Sequence, residues 1–188
     1  MLLSIQQKYL LNVIQKLGCA RREQLYRLFC PAFCVDNPDV TEAVAGAALH
    51  RLRTTCQQLR ETDGVFHLTN TKPDGDLLET IDVMIELSRS KPLDFRRAEP
   101  PVLLWFSVQE YKVRRFAILR HDAVWDIPRF GSHERVILLF DGRGQAQPLP
   151  VSNKQFVAVR QGDGSHRYFA LDGGQGGLRY AQKENSTG

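Results

Sequence analysis

Between Lys91 and Pro101 the chain carries Pro92, Pro100 and Pro101, and its apolar residues repeat differently on the two sides of that stretch. Before it they recur every three to four residues, as on one face of a helix. After it they come in short runs rich in β-branched and aromatic side chains. A chain that changes period in this way keeps its helices and its strands in separate regions, so the expected class is α+β. With 188 residues, 43% apolar and 24% charged, there is enough material for a buried core, which excludes collagen, a coiled-coil fibre and a disordered chain.

The first region reads as three helices. Ser4-x-x-Gln7 has the spacing of a capping box, and Ile5, Tyr9, Val13, Ile14 and Leu17 follow at helical intervals until Gly18 stops them. After a short link at Cys19-Ala20, Leu25, Leu28 and Phe29 mark a second helix that Pro31 is expected to end. The turn residues Asp36-Asn37-Pro38-Asp39 come next, and Thr41 is positioned to cap a long third helix through Arg60. Gly64–Thr69 then reads as a short strand, and Lys72-Pro73-Asp74-Gly75 as a tight turn. Residues 76–90 return to helical period, with Leu77, Ile81, Met84, Ile85 and Ser88 on one side and Glu79, Asp82 and Glu86 on a solvated acidic face.

The second region is expected to be mostly antiparallel β, with strands at Val102–Val108, Val113–Arg120, Arg135–Asp141, Lys154–Arg160 and His166–Leu171. Val136–Phe140 is apolar without alternation, which suits a central strand covered on both faces. The glycine-rich end, 172–188, is expected to be disordered. The expected organisation is thus a domain at 1–75, a linking helix and linker at 76–101, a small β-rich domain at 102–171, and a tail.

Net charge is only +4, so its distribution matters more than its size. Residues 76–90 form an acidic island between two basic stretches, and Leu49–Arg60 holds Arg51, Arg53, Arg60 and His50 with no acid. In the third helix, Val44, Ala48, Leu49, Leu52, Cys56 and Leu59 make an apolar face. Arg51, Thr54, Thr55 and Gln58, at i, i+3, i+4 and i+7, make a polar face without a carboxylate. An ordinary solvated face mixes acids and bases to form i,i+4 pairs. A face of Arg, Thr and Gln instead suits base edges, since Arg bonds guanine and Gln adenine.

The residues Leu17-Gly18, Gln24–Phe29, and Leu49–Leu59 leading into Gly64–Thr69 together resemble a winged helix-turn-helix over about the first 75 residues. The resemblance implies that the third helix enters the major groove of double-stranded DNA and that the wing touches the flanking backbone. Arg51, Thr54, Thr55 and Gln58 are then the expected reading residues, and Arg53, Arg60 and, on the wing, Lys72 the phosphate contacts. Two features depart from the pattern: Asn37-Pro38-Asp39 lengthens the connection before the third helix, and no second wing strand follows Gly75. The order of winged helix, acidic helix and β-rich region also resembles replication-relaxation-type accessory proteins of bacterial mobile elements. That implies a part in replication, mobilisation or transcription of such an element.

Other chemistries are weighed against this reading. Asp94 followed by Glu110-Tyr111-Lys112 resembles the carboxylate and Glu-x-Lys pattern of restriction-type nucleases, which needs Glu110 and Lys112 on one face of a strand. The same residues suit a charged hairpin turn. A protein–protein interaction module built on the same helices is the alternative from another class. Cys30-x3-Cys34 lacks the second ligand pair of a zinc site, and Cys19, Cys30, Cys34 and Cys56 are read as small apolar fillers. His121-Asp122 and His133-Glu134 have no third ligand or nucleophile at useful spacing, Trp105 and Trp125 read as core, and Gly142-Arg143-Gly144 reads as a turn. The expectation is therefore a non-catalytic protein without cofactor or metal. The Leu77–Ser88 stripe is a candidate homodimer face. Met1–Ile5 gives way to Gln6-Gln7-Lys8 before any leader develops, and no apolar run approaches the roughly 18 residues of a membrane span, so a cytoplasmic location is expected.

Overall fold

Ser4 caps the first helix as its spacing predicts: its Oγ accepts from the Gln7 N–H at 3.2 Å, and the Gln7 side-chain oxygen accepts from the Ser4 N–H at 2.8 Å. The structure is a computed structural model that describes residues 2–33, 38–121, 129–141, 147–171 and 178–180, with backbone only for 38–41 and 178–180. Two compact units divide it, Met1–Arg97 and Ala98–Gly188.

In the first unit, α1 (Ile5–Leu17) buries Leu10, Val13, Ile14 and Leu17 and stops at Gly18, whose φ of 83° only glycine adopts without strain. Ile5, expected on the apolar face, is exposed instead, while Gln7 of the same turn is buried. The Tyr9 ring packs edge-on against Phe29 and Phe33, and its hydroxyl donates to the Leu28 carbonyl at 2.8 Å. Cys19–Arg21, expected as a link, is a strand, β1. The second helix, α2 (Arg22–Phe33), carries Pro31 inside its last turn and ends two residues beyond it. So late in a helix, proline removes one hydrogen bond and leaves few residues downstream to displace.

The third helix, α3 (Pro38–Thr55), ends five residues before the expected Arg60. Its last turn closes with Cys56 N–H to Leu52 C=O at 2.7 Å, the chain reverses through Gln57-Gln58, and Leu59–Thr62 is a strand, β2. β2 pairs antiparallel with β3 (Val65–Leu68), Leu59 opposite Leu68 and Thr62 opposite Val65. The cause is the dipeptide Asp63-Gly64, with φ of 50° and 76°, the two positive φ values that a tight two-residue hairpin demands. Because that turn allows only two residues between the strands, the partner of β3 must lie immediately before it. The strand that pairs with β3 therefore precedes the turn, and residues 72–75, expected as a tight turn, are a connection to the next helix. β1 pairs antiparallel with the other edge of β3, giving the order β1-β3-β2.

Gly64 offers a test. A Cβ added there would touch nothing within 4 Å, so Gly64→Ala changes only backbone preference. It is expected to destabilise the first unit by about 1–2 kcal/mol in a chemical-denaturation curve, the usual penalty for a side chain in left-handed conformation. No change in midpoint removes this account of the hairpin.

The fourth helix, α4 (Gly75–Ser88), is capped by the Asp74 carboxylate, which accepts from the Asp76 and Leu77 amides at 3.1 and 3.2 Å. It is not a free connector. Leu77, Leu78, Ile81, Val83, Met84 and Ile85 are all buried, and α4 touches α2 and β1 within the first unit. Asp82, expected on a solvated acidic face, accepts from Arg21 at 2.8 Å and from the Gln24 amide at 2.7 Å. The Leu77–Ser88 stripe is consumed by the chain's own core and is not available as a dimer face. Asp94–Arg97, expected as irregular linker, is a strand, β4, in which Phe95 is buried under the Lys16 ammonium and Asp94 pairs with Lys16 at 2.7 Å.

The second unit places its strands close to where periodicity sets them: β5 (Val102–Gln109), β6 (Val113–Arg120), β7 (Glu134–Phe140), β8 (Gln155–Arg160) and β9 (His166–Leu171). A further strand, β10 (Leu178–Tyr180), pairs with β9 inside the stretch expected to be a disordered tail; 172–177 and 181–188 lie outside the described residues. The order β10-β9-β8-β7-β6-β5 is antiparallel at both ends, but β6, β7 and β8 run parallel, which corrects the mostly antiparallel expectation at its centre. Segments 121–133 and 141–154 are long enough for the crossovers that parallel neighbours require. Val136–Phe140 is wholly buried, as a central strand should be, and Val102, Ala117, Leu119, Val136, Leu138 and Val157 form a shared core on one face of the sheet.

Candidate nucleic-acid interface

Ala45, Ala48, Leu49 and Leu52 turn α3 toward the first unit's core, and their burial fixes which residues face outward. Gly46 lies where the α2 tyrosine, Tyr26, comes close; a Cβ there would meet the phenol oxygen at 3.2 Å. His50, Arg51, Thr54 and Thr55 are exposed on the last turns of α3, so three of the four expected reading residues share one surface. Both threonine hydroxyls donate back to the Arg51 carbonyl, Thr54 at 2.9 Å and Thr55 at 2.7 Å, leaving their oxygens as acceptors. Val44, read as core, is exposed, and Cys56 is only half-buried.

Gln58, the fourth expected reader, is not on the helix. It is exposed in the turn after α3, and its carbonyl accepts from the Thr69 amide at 2.8 Å. The i+7 argument for it therefore fails, although it follows Thr55 closely in the chain. Arg60 is exposed on β2 and not on the helix, with a long contact of 3.4 Å from its guanidinium to the Leu59 carbonyl. Lys72 is exposed in the connection from β3 to α4, beside a shallow depression lined by Asp74 and Arg97, and not on the β2–β3 hairpin. The hairpin tip carries Asp63 instead.

Arg53 is exposed but paired: it donates to Glu61 on β2 at 2.8 Å, and Arg22 at the start of α2 donates to the other Glu61 oxygen at 2.6 Å. Partial burial opposes ionisation of Glu61, but hydrogen bonds from Arg22 and then Arg53 outweigh it and hold the carboxyl below the ordinary glutamate range. Arg22 and Glu61 are absent from the sequence-derived site. The available signal was the position of Glu61, the first acid after the carboxylate-free run.

The remaining candidates are dispersed. Glu110 and Lys112 sit in the turn between β5 and β6, with Gln109 opposite Val113, so they do not share a strand face; Glu110 pairs with Arg114. Asp94 pairs with Lys16. His133 is exposed, and the neighbouring Glu134 carboxylate accepts from the Gly131 amide at 2.5 Å. Trp105 is half-buried against Phe130. Cys34, Asp122, Trp125 and Gly142-Arg143-Gly144 lie outside the described residues. Among the described residues no three His, Cys, Asp or Glu side chains group as metal ligands, and no helix is long and apolar enough to cross a membrane. In comparisons with known proteins, no family model, no curated protein and no solved structure matches this chain.

Proposed function

We propose that this is a non-catalytic DNA-binding protein whose first unit docks α3 on duplex DNA as a winged helix does, in the service of replication, mobilisation or transcription of a bacterial mobile element. The observation that carries the reading is the run Ala43–Arg60, which contains no carboxylate and presents His50, Arg51, Thr54, Thr55, Gln58 and Arg60 to solvent. The element order α1-β1-α2-α3-β2-β3 with sheet order β1-β3-β2 supports it, because it sets a hairpin directly after the presenting helix. On this reading Arg51 and Gln58 contact base edges, and Arg53, Arg60 and Lys72 contact phosphates.

A second reading has its own support: the hairpin tip is acidic at Asp63, where a phosphate-facing wing favours a cation, and this suits a module that docks on a protein. A mobility shift with random duplex over a salt series separates the two. DNA binding is expected at low salt and to weaken steeply as salt rises, as counterion release requires. No shift at low salt leaves the interaction module as the better account.

A further inference from the structure

Three charged groups from three elements converge beside α3: Arg22 from α2, Arg53 from α3 and Glu61 from β2. Each Glu61 oxygen takes one guanidinium, at 2.6 and 2.8 Å, so the two arginines are necessarily neighbours. Their exposures are unequal. The Glu61 side chain is 13% exposed, while Arg22 and Arg53 keep 46% and 47% of theirs in solvent. The carboxylate is thus a floor and the cations face outward. The Arg22 guanidinium also lies over the Phe66 ring, 5.8 Å from its centroid, which restrains it from a second side.

A guanidinium has five N–H donors in a fixed fork, and one carboxylate oxygen engages only part of them. The triad carries a net charge of +1, and each guanidinium has N–H donors beyond the one it gives Glu61. A tetrahedral phosphate oxyanion matches that arrangement.

We propose that Arg22 and Arg53, held by Glu61, form a clamp for a single phosphate group, supplied by the backbone of the duplex. The proposal rests on the DNA-binding reading for the source of the phosphate and adds Arg22 as a binding residue and Glu61 as a positioning residue. It also explains an acid at the edge of a cationic surface: Glu61 orders two flexible side chains before the phosphate arrives, lowering the entropic cost of binding.

The test uses the full chain. Duplex affinity is measured against salt for wild type, Arg22→Ala, Arg53→Ala, the double variant and Glu61→Gln, with thermal melting to confirm folding. Each single alanine variant is expected to weaken binding about tenfold, as one charge-assisted contact is lost. Because both arginines serve one phosphate, the double variant should lower the salt slope by about one ion and not two. Glu61→Gln is the sharpest arm. It removes a negative charge, so charge alone would tighten binding, whereas loss of the floor is expected to weaken it severalfold.

In parallel, inorganic phosphate is titrated into the wild type at constant ionic strength while the Arg Nε–H signals are followed by NMR. Those of Arg22 and Arg53 are expected to shift together and to stop responding in Glu61→Gln. Unmoved signals overturn the clamp, as does tighter duplex binding by Glu61→Gln, or a folded double variant with unchanged affinity and slope. If phosphate shifts both signals but no duplex binds, the DNA-binding reading falls while the clamp stands as a site for the free anion.

Discussion

A fragment ending at residue 75 is expected to lack a cooperative unfolding transition, whereas one ending at Arg97 is expected to show it. The first 75 residues contain every element of the helix and hairpin arrangement, so on pattern alone they look sufficient. They omit α4, whose Leu77, Ile81, Met84 and Ile85 are fully buried and which packs on α2 and β1. At about 1.5–3 kcal/mol for each fully buried aliphatic side chain, those four residues account for roughly 6–12 kcal/mol. That is comparable with the whole stability of a domain. The shorter fragment also strips Arg21 and Gln24 of Asp82, leaving a partly buried guanidinium without its carboxylate. Circular dichroism melts of the two fragments decide the matter. A sharp transition in 1–75 would show that α4 adds nothing essential.

The second large effect separates packing from presentation on α3. Leu52 is fully buried and the adjacent Arg51 is exposed. Leu52→Ala is expected to destabilise the first unit by about 2–5 kcal/mol, the range for a buried leucine truncated to leave a cavity, and to take the proposed DNA binding down with it. On the proposed DNA-binding reading, Arg51→Ala is expected to leave the melting temperature nearly unchanged while costing about 1–3 kcal/mol of base preference, since it would remove a base-edge contact and no packing. Denaturation midpoints and binding to a selected duplex give both numbers. Equal loss of stability in the two variants would mean that Arg51 is part of the structure. Unchanged base preference in folded Arg51→Ala would remove it from the reading surface.

Much of this protein follows from local patterns. The Ser4 capping box, the stop at Gly18, α4 and the five main strands of the second unit lie close to where periodicity and turn chemistry put them, because those signals act between residues a few positions apart. The presenting surface of Arg51, Thr54 and Thr55 was legible for the same reason, since helical spacing alone puts them on one side. Even the hairpin had a local signal in Asp63-Gly64, and the helical pattern running through Leu59 competed with it.

Strand pairing across the chain decided the rest. β3 bonds β2 on one edge and β1 on the other, and β1 comes from more than forty residues earlier. That demand ends α3 at Thr55, moves Gln58 and Arg60 off the helix, and turns Cys19–Arg21 into a strand. The parallel centre of the second unit and the capture of Leu178–Tyr180 by β9 have the same origin. So has the meeting of Arg22, Arg53 and Glu61, three residues with no shared periodicity. By itself the sequence determined α1, α4, the body of α3 and the five main strands of the second unit, and which side of α3 carries no carboxylate, since intrinsic preference and side-chain spacing are properties of neighbours. The tertiary structure decided where α3 stops, which strands pair and which charges meet, because those depend on backbone hydrogen bonds and burial between segments that only the folded chain brings together.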